Sequence, residues 1–149
     1  MNIYLDLTRK FNSSGIRAIL AGGQAVVLHR LAIMSKDGDW ILREDPQTMQ
    51  YVLSVLGRYG ARYRFGAPLD VRWMAGGWSA HLEFQWQELR VRTDFVTRLA
   101  KYLEAAKPWA AAWPELSRQM EGLVLPEAHR LMVQRAEGLL PFTVPGGWP

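Results

Sequence analysis

The residues of this chain best suited to chemistry come in a fixed order. Gly22-Gly23 closes an apolar run, Asp37 and Asp39 follow as a pair two residues apart, and Asp94 stands within RVRTDFV. Two aspartates at i and i+2 on an extended segment project the same way and can share a divalent cation. A third carboxylate from a later strand would complete an oxygen set of the kind magnesium takes, with phosphate oxygens filling the remaining positions. A Gly-Gly turn at a helix start lets backbone approach a ligand, and the free N–H groups there favour phosphate. Such a set suits metal-assisted displacement at a phosphorus atom. Each part also has a plainer reading. Gly22-Gly23 serves equally as a tight strand-to-helix turn, and Asp-Gly is a common turn dipeptide. Asp94 could pair with Arg92 or Arg98 across a sheet. Glu83, in HLEFQW, competes with Asp94 as third carboxylate. His81 could relay a proton or serve structure alone, and neither His29 nor His129 has a partner at ligand spacing.

The elements that must position these groups read as follows. Asn2 caps a short helix bearing Ile3, Leu5, Leu7 and Phe11, and Asn12-Ser13-Ser14-Gly15 breaks it. The run Ile16 to Ala21 has the pattern of a buried strand. Residues 24–34 read as a helix, residues 35–38 as a polar turn, and residues 39–43 as a second strand. Asp45-Pro46 opens a helix with Met49, Val52, Leu53 and Leu56 on one face and Gly60 as its stop. From Ala61 to Arg98 alternation takes over, with Tyr63, Phe65, Val71 and Trp73 suggesting strands, Gly76-Gly77 the strongest turn, and an antiparallel meander of two or three strands in all. The last third is helical: a segment over 99–106, a stretch broken by Pro108 and Pro114, and a helix from Pro126 to about Glu137, followed by the loose tail PFTVPGGWP. Trp109 and Trp113, four apart, share a helix face and dock the C-terminal helices. The expected fold is α/β: a short mixed sheet flanked by helices with a helical C-terminal segment. It forms one domain over 1–149, with a core at about 16–98 and the helical segment at about 99–140.

Composition sets limits on function. The chain has 149 residues, 49% hydrophobic and 21% charged, and no cysteine. Disulfides and thiolate metal sites are excluded, and a reducing, cytoplasmic location is expected. No signal-peptide pattern opens the sequence and no apolar run is long enough to span a membrane. Seven tryptophans point mainly to core packing, although a nucleobase could stack on one of Trp40, Trp73, Trp78 or Trp86. The net charge is +4, and Arg58, Arg62, Arg64, Arg72, Arg90, Arg92 and Arg98 crowd one stretch. Arginine forks bind phosphate, so this stretch is either a phosphate-attracting surface or a solvated sheet face paired with acids.

The order LAGGQAVVLHRL, SKDGDWILRED, RVRTDFVTR resembles the minimal nucleotidyltransferase family, in the branch that includes toxin–antitoxin and abortive-infection transferases. That family carries a Gly-Gly or Gly-Ser turn after its first strand, an Asp-x-Asp pair opening the next, and a third acid on a later strand. The resemblance covers roughly 16–98. It implies Mg2+-dependent transfer of a nucleotide from a nucleoside triphosphate to a hydroxyl on RNA, protein or a small molecule. It implies Gly22 and Gly23 as phosphate cradle, Asp37, Asp39 and Asp94 as metal ligands and catalytic acids, and Asp94 in preference to Glu83. Lys36 and Arg92 would offset triphosphate charge. Ser35 stands where the family has threonine, and the loop from Asp70 to Gly77 has no counterpart in the family pattern. The alternative is a catalytically inactive member that binds an RNA or protein partner, antitoxin-like.

Overall fold

A computed structural model describes residues 2–21, 37–98 and 106–142. Helix α1 (Ile3–Phe11) starts where the Asn2 side-chain oxygen accepts from the Tyr4 and Leu5 amides, and its inner face buries Ile3, Tyr4, Leu7 and Phe11. The Asn12 side chain then clamps the turn, accepting from the Arg17 and Ala18 amides and donating to the Ala18 carbonyl. Strands β1 (Ala18–Ala21) and β2 (Asp37–Leu42) pair antiparallel. Helix α2 (Pro46–Arg58) begins at Asp45, whose carboxylate accepts from the Thr48 amide at 2.7 Å. It ends before Gly60, whose φ of +69° suits glycine. Strand β3 (Arg62–Tyr63), the single-turn helix α3 (Val71–Met74), strands β4 (Ala80–Trp86) and β5 (Leu89–Val96), and helices α4 (Ala106–Met120) and α5 (Leu125–Leu139) follow.

The described strands form one mixed sheet in the order β1-β2-β5-β4-β3, in which, among the described residues, only β2 and β5 run parallel. Its core face carries Trp40, Leu82, Phe84, Val91 and Phe95, all buried. Trp40 stacks on Phe95 and takes the edge of Phe11, and its ring N–H donates to Thr8 Oγ1 at 2.8 Å. Gly38 lies beneath this cluster. A Cβ there would stand 2.5 Å from the Trp40 ring and 2.6 Å from the Tyr4 ring, so the glycine between the two aspartates is fixed by packing.

The α/β class, the mixed sheet, the antiparallel meander β3-β4-β5 and the helical C-terminal segment match the sequence reading. Several local expectations need correction. Of the run Ile16 to Ala21 only Ala18–Ala21 is strand, at the end of the sheet among the described residues, and Ile16 is 76% and Ile19 60% exposed. Asp37-Gly38 is already strand and not turn, because pairing with β5 begins at Asp37. Val71 and Trp73 lie in α3, nucleated by Asp70, whose side chain accepts from the Arg72 amide; Phe65 lies past the end of β3. Gly76-Gly77 is a turn, but it joins α3 to β4, while the β4–β5 hairpin turns at Gln87 with φ +56°. Pro108 and Pro114 do not break α4. Pro108 is exposed near the start of the described part of α4. Pro114 and Ala110, whose carbonyl it leaves without a helical donor, are both exposed to water. The expected segments at 24–34 and, apart from Ala106, 99–106 lie outside the described residues, as does the tail from 143.

Candidate functional site

The sheet register decides which side chains meet. Asp39 lies opposite Asp94 across the parallel β2–β5 pair, and Asp94 lies opposite His81 across β5–β4. One row over, Asp37 is opposite Arg92, Arg92 opposite Glu83, and Glu83 opposite Arg62. Side chains directly opposite share a face, and all of these stand on the face away from Trp40 and Phe95. The structure therefore brings Asp37, Asp39, Asp94 and Arg92 together. Gly22, Gly23, Ser35, Lys36 and His29 lie outside the described residues.

The Asp39 carboxyl is held above its ordinary range. Burial is the largest cause; the Asp94 charge and a hydrogen-bond contact with Asp94 come next, then the charge of Asp37, while His81 acts in the opposite sense. Asp94 is itself oriented. Its Oδ1 accepts from His81 Nδ1 at 2.7 Å and from the Arg64 guanidinium at 3.2 Å. A carboxylate only accepts, so the His81 proton sits on Nδ1. In the neutral ring Nε2 then accepts from the Ser79 hydroxyl at 2.9 Å. Gly66, with φ +151°, lets the chain pass against this ring; a Cβ there would meet His81 Cδ2 at 2.5 Å.

Glu83 is otherwise engaged. It stands on β4, with β5 between it and β2, and is held by Arg62 at 3.3 Å and Arg90 at 3.1 Å. Asp94 is the carboxylate that lies against Asp39. Its partners are Arg64 and His81, not the expected Arg92 or Arg98; Arg98 instead forks onto Glu44 with two bonds of 2.7 Å. Arg62, Arg64, Arg72, Arg90 and Arg98 are all ion-paired: Arg62, Arg64 and Arg90 with Glu83 and Asp94 on the sheet face, and Arg72 and Arg98 with acids off the sheet.

Among the described residues, no three His, Asp or Glu side chains are spaced as a ready metal cage. The donor chemistry still fits magnesium, which commonly takes one or two protein carboxylates and completes its shell with water and substrate phosphates. Asp39 and Asp94 would supply that pair, with Asp37 alongside. No helix among the described residues is long and apolar enough to cross a membrane.

The chain matches no family model, no curated protein and no solved structure. Of the tryptophans considered for base stacking, Trp40 and Trp73 are wholly buried, and Trp78 and Trp86 are partly exposed. Sequence reasoning missed Ser79 and Arg64. The spacing Ser79-Ala80-His81 ahead of a strand was the available signal for the first; Arg64 reaches Asp94 only through the register of β3 on β4.

Proposed function

We propose that the open face of the sheet is a nucleotidyl-transfer site that uses magnesium and a nucleoside triphosphate. One observation carries the reading. Asp39 and Asp94, 55 residues apart in sequence, lie directly opposite on parallel strands, close enough that Asp94 helps hold the Asp39 carboxyl above its usual range. A carboxylate whose proton affinity a neighbouring carboxylate raises is poised for a cation. In this reading Asp39 and Asp94, flanked by Asp37, hold the ion. Bound there, it would neutralise phosphate oxygens. His81 and Arg64 fix Asp94, and Arg92 faces the polyphosphate. Gly22 and Gly23 would cradle phosphate, with Ser35 and Lys36 completing that edge. An acceptor hydroxyl on RNA, protein or a small molecule would displace pyrophosphate from the α-phosphorus, its proton passing to a base at the site.

The alternative, an inactive member that binds an RNA or protein partner, drew on the arginine-rich stretch. Ion pairing of five of those arginines weakens that support. Calorimetric titration with ATP and with GTP, each with and without magnesium, tests the proposal. Magnesium-dependent heat with one triphosphate, lost in Asp39→Asn, is expected. Absence of magnesium-dependent heat with both, or equal heat from Asp39→Asn, would remove it.

A further inference from the structure

Away from the acidic face, a cavity of about 500 Å3 opens between α2 and α5. That volume lies within the range of small-molecule sites. Leu53, Leu125, Pro126 and Val133 form an apolar lining, and Gln50 and Ser54 add polar atoms from α2. Three ionisable residues reach it: Asp70, His129 and Arg130.

The hydrogen bonds around Tyr63 fix what His129 presents. The buried Tyr63 hydroxyl accepts from the Leu69 amide at 3.0 Å and lies 2.7 Å from His129 Nδ1. Its single proton has no other acceptor among the described residues, so it goes to Nδ1. The ring is then neutral, and the proton on Nε2 is a donor with no partner among the described residues. Burial also disfavours the charged ring. Asp70, the carboxylate in this lining, has its charge balanced by the Arg72 guanidinium, which donates to both its oxygens at 3.0 and 3.1 Å. Arg130, exposed at the rim, forms no ion pair among the described residues. The cavity thus combines an apolar body with the imidazole of His129 and the guanidinium of Arg130 in its lining. The carboxylate in its lining, that of Asp70, is ion-paired with Arg72.

We infer that this cavity binds a small carboxylic acid with an aliphatic body, its carboxylate meeting His129 Nε2–H and Arg130 and its chain lying on Leu53 and Val133. This site is independent of the acidic sheet face.

The test is a calorimetric titration of the full chain with octanoate, in parallel with 1-octanol. The expected result is saturable octanoate binding. Arg130→Gln weakens it about five-fold, as loss of one partly screened charge contact would, and leaves the weaker octanol binding unchanged. Ser54→Trp fills the cavity from its exposed rim without touching the core, and abolishes both. Absence of saturable octanoate binding to the wild-type chain would overturn the inference. So would binding unchanged by Ser54→Trp in a protein whose circular dichroism and melting match wild type, or equal weakening of octanol and octanoate by Arg130→Gln.

Discussion

Replacing Asp39 with asparagine should make the protein more stable at neutral pH while disabling the proposed site. In the native sheet Asp39 has Asp94 directly opposite and Asp37 two residues along on the same face. The Asp94 side chain is only 19% exposed, so water screens the pair poorly. Like charges directly opposite on a sheet cost roughly 0.2–1 kcal/mol. Asparagine removes the charge and can donate an N–H to Asp94. For a domain of this size, about 1 kcal/mol corresponds to roughly 2–4 °C in Tm. Asp39→Asn should therefore melt about 1–4 °C above wild type at pH 7.5 in low salt without divalent ions. The direction with pH follows from linkage. A carboxyl whose native affinity for protons exceeds its unfolded affinity adds stability below the ordinary carboxylate range, near pH 3.9, and loses it as pH rises through the elevated native value. The gain from Asp39→Asn should thus shrink toward zero as pH falls to about 4. Scanning calorimetry across that range measures it. Asp39→Ala, which cannot donate to Asp94, should gain less. A Tm for Asp39→Asn below wild type at pH 7.5, or a difference that does not change with pH, would refute the reasoning.

Other consequences are equally direct. Gly38→Ala places a methyl 2.5 Å from the Trp40 ring and should destabilise by about 1–3 kcal/mol, the range for overpacking a core, read as a lower denaturant midpoint. Tyr63→Phe strands the Leu69 amide and removes the proton given to His129; a loss of about 1–3 kcal/mol is expected. His129, whose ring is driven toward the neutral form by burial, contributes stability that is present above its unfolded value, near pH 6.5. That stability is lost as pH falls through the depressed native value. A melting curve that drops between pH 7 and 5 should flatten there in His129→Gln. Asn2→Ala removes the acceptor for two α1 amides and should cost about 1 kcal/mol, seen in chemical denaturation.

Local signals made much of this fold legible. Asn2, Asp45 with Pro46, and Gly60 each act through their own or adjacent backbone, so their roles as caps and stops read directly. The alternation through HLEFQW and RVRTDFV placed the meander for the same reason. Tertiary contacts decided the rest. Asp37-Gly38-Asp39 has turn chemistry, yet Trp40 and Tyr4 packing on Gly38 and pairing with β5 hold it as strand. Ile16 and Ile19 look like core, but Ile16 precedes β1 and Ile19 lies on the exposed side of this end strand. Pro114 stays in a helix because Trp109 and Leu116 bury on either side of it. For the site, the aspartates and their order were visible. That His81, Arg64 and Ser79 line up behind Asp94 was not, since strand register depends on the whole sheet.

The central claim is best tested by crystals grown with manganese and a triphosphate, using the anomalous signal of manganese in place of magnesium. A peak is expected within coordination distance of carboxylate oxygens of both Asp39 and Asp94, with phosphate oxygens on its far side. Triphosphate density with the manganese peak elsewhere, or no peak at these residues at saturating metal, would contradict it.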